Sequence, residues 1–222
     1  MGRETVNFAK NEDGTEVEGV ILAAGYSKRA GVYKMELDFD GNKMIELSIH
    51  ALYDICSRLV IVGGYKVDRI EKIAKSYPKV EVIYNENFDD GMFSSVKKGL
   101  AATRAEKVFF TPGDYPLINR RICELLLKSD GDIVIPMWKG KKGHPILLKR
   151  HRIKEILEEA EDSTLKCYIR RKVATFVEVN DPGILYDVDT IDDYRNLLTH
   201  YRCLFPNKNK GDQRLQDNEI KK

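Results

Sequence analysis

The sequence predicts an α/β domain built on a mixed, mostly parallel sheet with helices on both faces. Three observations carry this. Apolar runs at 20–22, 59–62, 108–111 and 133–136 lack the polar alternation of a half-exposed strand, as strands buried on both faces do. Stretches with apolar residues at helical intervals fall between them at short spacing, which is the rhythm of a doubly wound sheet. A chain of 222 residues suits one sizeable domain with its own core.

Taken in order, residues 1–16 are polar and charged and read as a flexible N-terminal segment. The first strand ends in small residues at Ala23 and Ala24. Residues 44–52 have helical spacing, 59–64 form a strand stopped by a glycine pair, and 67–74 form a helix through Val67, Ile70, Ile73 and Ala74. A strand at 80–84 and a helix at 93–102 follow, then a strand at 108–111, a helix at 121–128 and a strand at 133–136. Residues 137–148 read as a hairpin or excursion around a glycine-rich basic turn, 153–160 and 165–171 as helices, and 173–179 and 184–188 as short extended runs. Thr190 with Asp193 has the form of a capping box opening a last helix. The expected domain spans 17–200, and 201–222 is a polar, frayed tail.

Lysine and arginine number 37 against 35 acidic residues, a net charge of +2, so the whole molecule has no electrostatic bias toward nucleic acid or a membrane surface. No apolar run reaches membrane-spanning length and no signal-peptide core follows Met1, so the expected location is the cytoplasm. The four cysteines, Cys56, Cys123, Cys167 and Cys203, form no Cys-x-x-Cys pair; reduced thiols are expected.

The chain is organised around the loop after the first strand, Leu22-Ala23-Ala24-Gly25-Tyr26-Ser27-Lys28-Arg29-Ala30-Gly31-Val32-Tyr33-Lys34. Small residues let a ligand approach the backbone, and exposed peptide N–H groups attract phosphate oxygens. Arg29 can grip phosphate with two prongs, and Lys34 supplies a mobile point charge. The spacing fits neither a Walker loop nor the Gly-x-Gly-x-x-Gly dinucleotide fingerprint, which disfavours a dehydrogenase.

Asp114 stands in Thr111-Pro112-Gly113-Asp114-Tyr115-Pro116, rigidly presented at a strand end, and suits magnesium, which takes one or two carboxylates with substrate phosphate oxygens and water. Asp187 and Asp189 alternate on a short extended run and therefore share a side; Asp189 is preferred as the second ligand, with Asp187 as the alternative. Asp192 and Asp193 are explained by the helix dipole. In the loop from Asn85 to Ser95, Ser94 reads as an N-cap, while Ser95 has a hydroxyl that can meet a base edge. His144, in Gly143-His144-Pro145, is either an exposed turn residue or a site residue. Lys139, Lys141 and Lys142 are either solvated charge or a rim for an anionic acceptor.

These pieces occur in the order and approximate spacing of the molybdopterin nucleotidyltransferases, and the chain from about Val17 to Leu198 resembles that branch, most closely its cytidylyl members. The resemblance implies a Rossmann-like nucleotidyltransferase fold and magnesium-dependent transfer of a nucleoside monophosphate, CMP from CTP being favoured, to a phosphorylated small-molecule acceptor such as molybdopterin, with release of pyrophosphate. It places Leu22, Ala23, Ala24 and Gly25 beneath the nucleotide, Arg29 and Lys34 on the triphosphate, and Gly64, Asn85 and Ser95 around base or ribose. It gives magnesium to Asp114 and Asp189 and sets His144 on the acceptor side. A molybdoenzyme maturation partner is a further implication. The alternatives are a cytidylyltransferase for a sugar, polyol or other small phosphate, and a nucleotide-binding regulatory protein without turnover. Ala30 and the acidic run 36–40 depart from the family pattern.

Overall fold

The computed structural model describes residues 14–205; residues 1–13 and 206–222 of the two expected tails lie outside the described residues. The strands are β1 (Val17–Ala23), β2 (Asp38–Phe39), β3 (Asn42–Lys43), β4 (Arg58–Gly63), β5 (Val80–Tyr84), β6 (Lys107–Pro112), β7 (Ile133–Trp138), β8 (Lys141–Lys142), β9 (Ile146–Lys149) and β10 (Thr175–Glu178). The helices are α1 (Met44–Tyr53), α2 (Val67–Ala74), α3 (Met92–Ala101), α4 (Arg120–Leu127), α5 (Arg150–Glu158), α6 (Leu165–Arg170) and α7 (Ile191–Leu204).

The main sheet runs β10-β7-β9-β6-β1-β4-β5, with β8 hairpinned onto β7, and β2 and β3 form a separate ribbon. Pairs β1–β4, β4–β5, β1–β6 and β7–β10 are parallel; β9 runs antiparallel between β6 and β7. The mixed, mostly parallel sheet expected from the sequence is therefore present. Because β1 pairs with β4 on one side and β6 on the other, the chain reverses its direction of travel across the sheet at β1. The crevice beyond the carboxyl end of such a strand is where ligands enter open α/β sheets.

Side chains of β1 alternate between two cores. Val17, Ile21 and Ala23 join α1, α2, α4 and α7 on one face, while Val20 and Leu22 join α3, α5 and α6 on the other. Gly99 lets α3 lie close on the sheet: a Cβ there would fall 2.6 Å from Val20 and 2.8 Å from Val62. One charge is buried at the opposite end of β1. Glu18 pairs with Arg58 at 2.9 Å and accepts hydrogen bonds from the backbone N–H groups of Arg104 and Ala105, which offsets its desolvation.

Three expectations change. The run 184–188 is not extended: Pro182–Leu185 form a 3-10 turn, started by the Asp181 side chain accepting from Gly183 N, with proline at the first helical position where its fixed φ suits a helix. Ser94 is not an N-cap, because α3 begins at Met92 after Gly91; its hydroxyl instead donates to the Asn87 and Gly91 carbonyls. Residues 201–204, assigned to the tail, continue α7, where Tyr201 is buried against Phe39. The Thr190–Asp193 capping box forms as expected, and Cys56 and Cys123 are buried free thiols.

Candidate active site

The loop leaving β1 closes on itself. Ser27 and Gly31 adopt left-handed backbone on either side of a 3-10 turn, Lys28–Ala30, and the Lys34 backbone N–H donates to Ser27 Oγ at 3.2 Å. This closure aims Lys34 inward, with its side chain only 11% exposed, while Arg29 remains 74% exposed at the mouth.

Asp114 is fixed from two sides. Gly113 N donates to Leu22 O at 2.8 Å, tying the end of β6 to β1, and Val188 N donates to Asp114 O at 2.9 Å. The second bond, not strand alternation, sets Asp189 beside Asp114. The Asp193 carboxylate then accepts from the N–H groups of Asp189 and Thr190 and holds the backbone at that point.

The cations and carboxylates converge. Lys34 Nζ lies 2.9 Å from Asp114 Oδ2 and 3.4 Å from Asp189 Oδ1, and Arg29 lies 2.7 Å from Asp189 Oδ2. Asp187 is nearby: burial first, then the charges of Asp189 and Asp114, raise its carboxyl above the usual range. The Tyr115 hydroxyl is pushed up by burial and by the same three carboxylates.

A cavity of about 580 Å³ lies over this cluster. Of the residues expected from the sequence, Leu22, Ala23, Ala24, Gly25, Arg29, Lys34, Ser95, Asp114, His144, Asp187 and Asp189 line it. Gly64 and Asn85 do not. The Phe88 ring covers Gly64, and a Cβ there would fall 2.7 Å from that ring and 2.8 Å from Ala24 O. Asn85 is buried behind the wall, donating to Ser94 Oγ and Ser95 Oγ at 3.0 and 2.9 Å, so it positions Ser95 from behind.

The sequence reading missed Tyr26, Phe88, Met92 and Tyr115, which also line the cavity. Tyr26 packs on Phe88 with ring centroids 5.3 Å apart and donates to Asp89 at 2.7 Å, joining the opening loop to the 85–91 segment. The available signal was aromatic residues set in glycine-bearing loops at strand ends.

His144 is not an exposed turn residue. Its ring lies 4.7 Å from Tyr115 and 6.2 Å from Phe110, and its Nδ1 is buried without a hydrogen-bond partner. Burial holds its pKa down to about 4 against an opposing hydrogen bond to the Phe110 backbone, so the imidazole is neutral at pH 7. Lys139, Lys141 and Lys142 lie on the β7–β8 hairpin, where Lys139 covers Trp138 and Lys142 covers Phe176.

The donor set fits a hard divalent cation. One ammonium already bridges Asp114 and Asp189, and Asp114 Oδ1 is buried with no hydrogen-bond partner. Both carboxylates line the cavity, where phosphate oxygens and water would complete the shell of such a cation. Among the described residues no group of three or more His, Cys, Asp or Glu side chains is placed to hold a metal ion by itself.

A basic, glycine-bearing loop at the switch point of a mostly parallel sheet, with carboxylates facing it in one cavity, is an arrangement that suits a nucleotidyltransferase. The chain belongs to the MobA-like NTP transferase domain family, whose model matches residues 19–176. It is 28% identical over 187 residues to the molybdenum cofactor cytidylyltransferase of Escherichia coli K12, covering 83% of this chain and 97% of that one. It is 24% identical over 200 residues to a probable molybdenum cofactor guanylyltransferase of Methanosarcina mazei, covering 82% and 89%. The crystal structure of the Rv0371c homologue from Mycobacterium sp. strain JC1 has the same fold, with a TM-score of 0.73, 25% identity and coverage of 85% and 98%. Among the described residues no helix is long and apolar enough to cross a membrane.

Proposed function

We propose that this enzyme transfers CMP from CTP to the phosphate of molybdopterin and releases pyrophosphate. The observation that carries the reading is the convergence of Arg29 and Lys34 from the opening loop with Asp114 and Asp189 in one cavity. The likeness to the Escherichia coli cytidylyltransferase supports the choice of CMP and acceptor.

The acceptor phosphate oxygen is already anionic, so the reaction needs no general base. That oxygen forms a bond to the α-phosphorus, the bond from α-phosphorus to the α–β bridging oxygen breaks, and its electron pair leaves with pyrophosphate. Asp114 and Asp189 would hold magnesium, which neutralises charge on the phosphate oxygens. When the triphosphate enters, Arg29 and Lys34 exchange their carboxylate partners for phosphate oxygens and steady the leaving group. Ala23, Ala24 and Gly25 let the nucleotide lie against backbone, and Ser95 offers a hydroxyl to base or ribose. Neutral His144 supplies no charge to the phosphates; at the cavity wall it positions the acceptor.

The test is pyrophosphate release with magnesium and each of the four NTPs, using molybdopterin or small sugar and polyol phosphates as acceptor. Release that depends on CTP and molybdopterin is expected. A requirement for GTP would move the enzyme to the guanylyl branch, and release only with a small phosphate would replace the acceptor.

A further inference from the structure

Lys34 points inward from a segment that the main sheet does not hold. Four residues after it begins the β2–β3 ribbon, which shares no ladder with the main sheet. Asp40 and Gly41, with φ of 52° and 91°, make the two-residue turn between its strands. Two backbone bonds carry the position of the ribbon back to the lysine. Leu37 N donates to Lys34 O at 3.0 Å, and Met44 N donates to Leu37 O at 2.8 Å. Whatever fixes the ribbon also fixes Lys34.

That element is α7. Tyr194, Leu197, Leu198 and Tyr201 stand at helical spacing and make one face of it. The Tyr194 hydroxyl donates to Asp38 O at 2.5 Å, and the fully buried Phe39 ring meets Tyr194 and Tyr201 edge-on at 5.3 and 5.6 Å. Farther along the same helix, Arg202 Nε donates to Asp40 Oδ1 at 2.8 Å. At its opening turn, the Asp193 carboxylate accepts from the backbone N–H groups of Asp189 and Thr190. One helix thus grips the segments that carry both partners of the 3.4 Å contact between Lys34 and Asp189. The acidic run that departs from the family pattern serves the same end. Glu36 pairs with Arg69, Asp38 accepts from Gly41 N at 3.1 Å, and Asp40 takes Arg202.

We infer that α7 is a clamp that sets Lys34 against Asp189, with Tyr194 and Arg202 as positioning residues for the nucleotide. Neither of them lines the nucleotide cavity, so both act through Lys34 and Asp189. The inference rests on the proposed nucleotidyl transfer for what Lys34 meets, the triphosphate, whereas the clamp itself is read from the tether. A charge-assisted bond to phosphate depends on where the ammonium stands, so a loosened ribbon weakens it without removing any group from the site. Arg202 is 59% exposed and its ion pair alone is weak, so the hydroxyl bond and the pair are removed together.

The test compares the full chain with the double variant Tyr194→Phe/Arg202→Gln, which keeps the ring against Phe39. Melting curves select conditions in which both are folded. Brief acetylation with acetic anhydride, read residue by residue by mass spectrometry, compares Lys34 with Lys97, an ion-paired lysine on α3 whose side chain is 15% exposed. The expected result is labelling of Lys34 at least about fivefold faster in the variant, with Lys97 unchanged. CTP with magnesium, titrated by calorimetry, should bind about tenfold more weakly. Labelling of Lys34 at the wild-type rate overturns the clamp, and so does an equal rise at Lys34 and Lys97, which is general loosening. Faster labelling of Lys34 with unchanged CTP affinity overturns its link to the nucleotide. Both expected changes, in a protein that transfers CMP to no acceptor, support the clamp while defeating the proposed reaction.

Discussion

Lys34 Nζ lies 2.9 Å from Asp114 Oδ2, joining residues 80 positions apart, and the same ammonium reaches Asp189 at 3.4 Å. A cation of the chain thus stands between the two carboxylates expected to hold magnesium. With Arg29 on Asp189, two cations of the chain offset charge at these carboxylates. We propose two roles for Lys34, holding like charges together before the nucleotide binds and meeting phosphate afterwards.

Replacing Lys34 by Gln leaves Asp114, Asp187 and Asp189 facing one another without that cation. The expected loss is about 1–3 kcal/mol of stability, below the value for a fully buried pair because the site is partly solvated. Millimolar magnesium should recover part of it, since the cation binds the folded state preferentially. Thermal melts of both proteins with and without magnesium check this; equal melting temperatures would remove the role given to Lys34.

Asp114→Asn keeps the shape of the side chain and removes its charge. Turnover should fall at least about 100-fold, with CTP affinity changed far less, because the loss falls on charge that develops during transfer. Comparing kcat with the directly measured nucleotide dissociation constant separates the two effects. Unchanged turnover would exclude Asp114 as a metal ligand.

Gly64→Ala tests the floor beneath Phe88. The new Cβ would meet the Phe88 ring at 2.7 Å and the Ala24 carbonyl at 2.8 Å, and the carbonyl is backbone that cannot yield cheaply. A loss of about 1–3 kcal/mol is expected, together with a raised KM for the nucleotide, since Ala24 belongs to the nucleotide loop. Urea unfolding and steady-state kinetics read the two consequences.

The His144 pKa, held down to about 4 by burial, has a definite consequence for stability. In the unfolded chain His144 takes a proton below about pH 6.5, whereas in the folded protein it does so only near 4. Stability should therefore fall as pH drops from about 6.5 toward 4 and stay level above that window. Glu155, held near 2, contributes a separate loss at lower pH. Urea midpoints for the wild type and His144→Gln, measured across this range, should show a shallower fall in the variant.

The strands that fix the sheet were legible because both-sided burial leaves apolar runs, as in β1, β4 and β6. The antiparallel entry of β9 between β6 and β7 was not, since an apolar run carries no mark of its direction. Arg29, Lys34, Asp114 and Asp189 stood out in the sequence as candidates for one site and their side chains do meet, yet the placement of Asp189 by a 3-10 turn and the Val188–Asp114 backbone bond was not legible. Asn85 and Gly64 stand behind the wall because Phe88 covers Gly64 and Asn85 turns its amide to two serines. The same side-chain packing hid Tyr26 and Phe88, which meet only once the loops after β1 and β5 fold together.

The most direct test of the central claim follows the α-phosphate. With CTP labelled at the α-phosphorus, magnesium and molybdopterin, the label should appear in a dinucleotide in which CMP and molybdopterin are joined by a diphosphate bridge, with unlabelled pyrophosphate released in equal amount. Label remaining in CTP, or released as free CMP with no change in molybdopterin, would contradict the account.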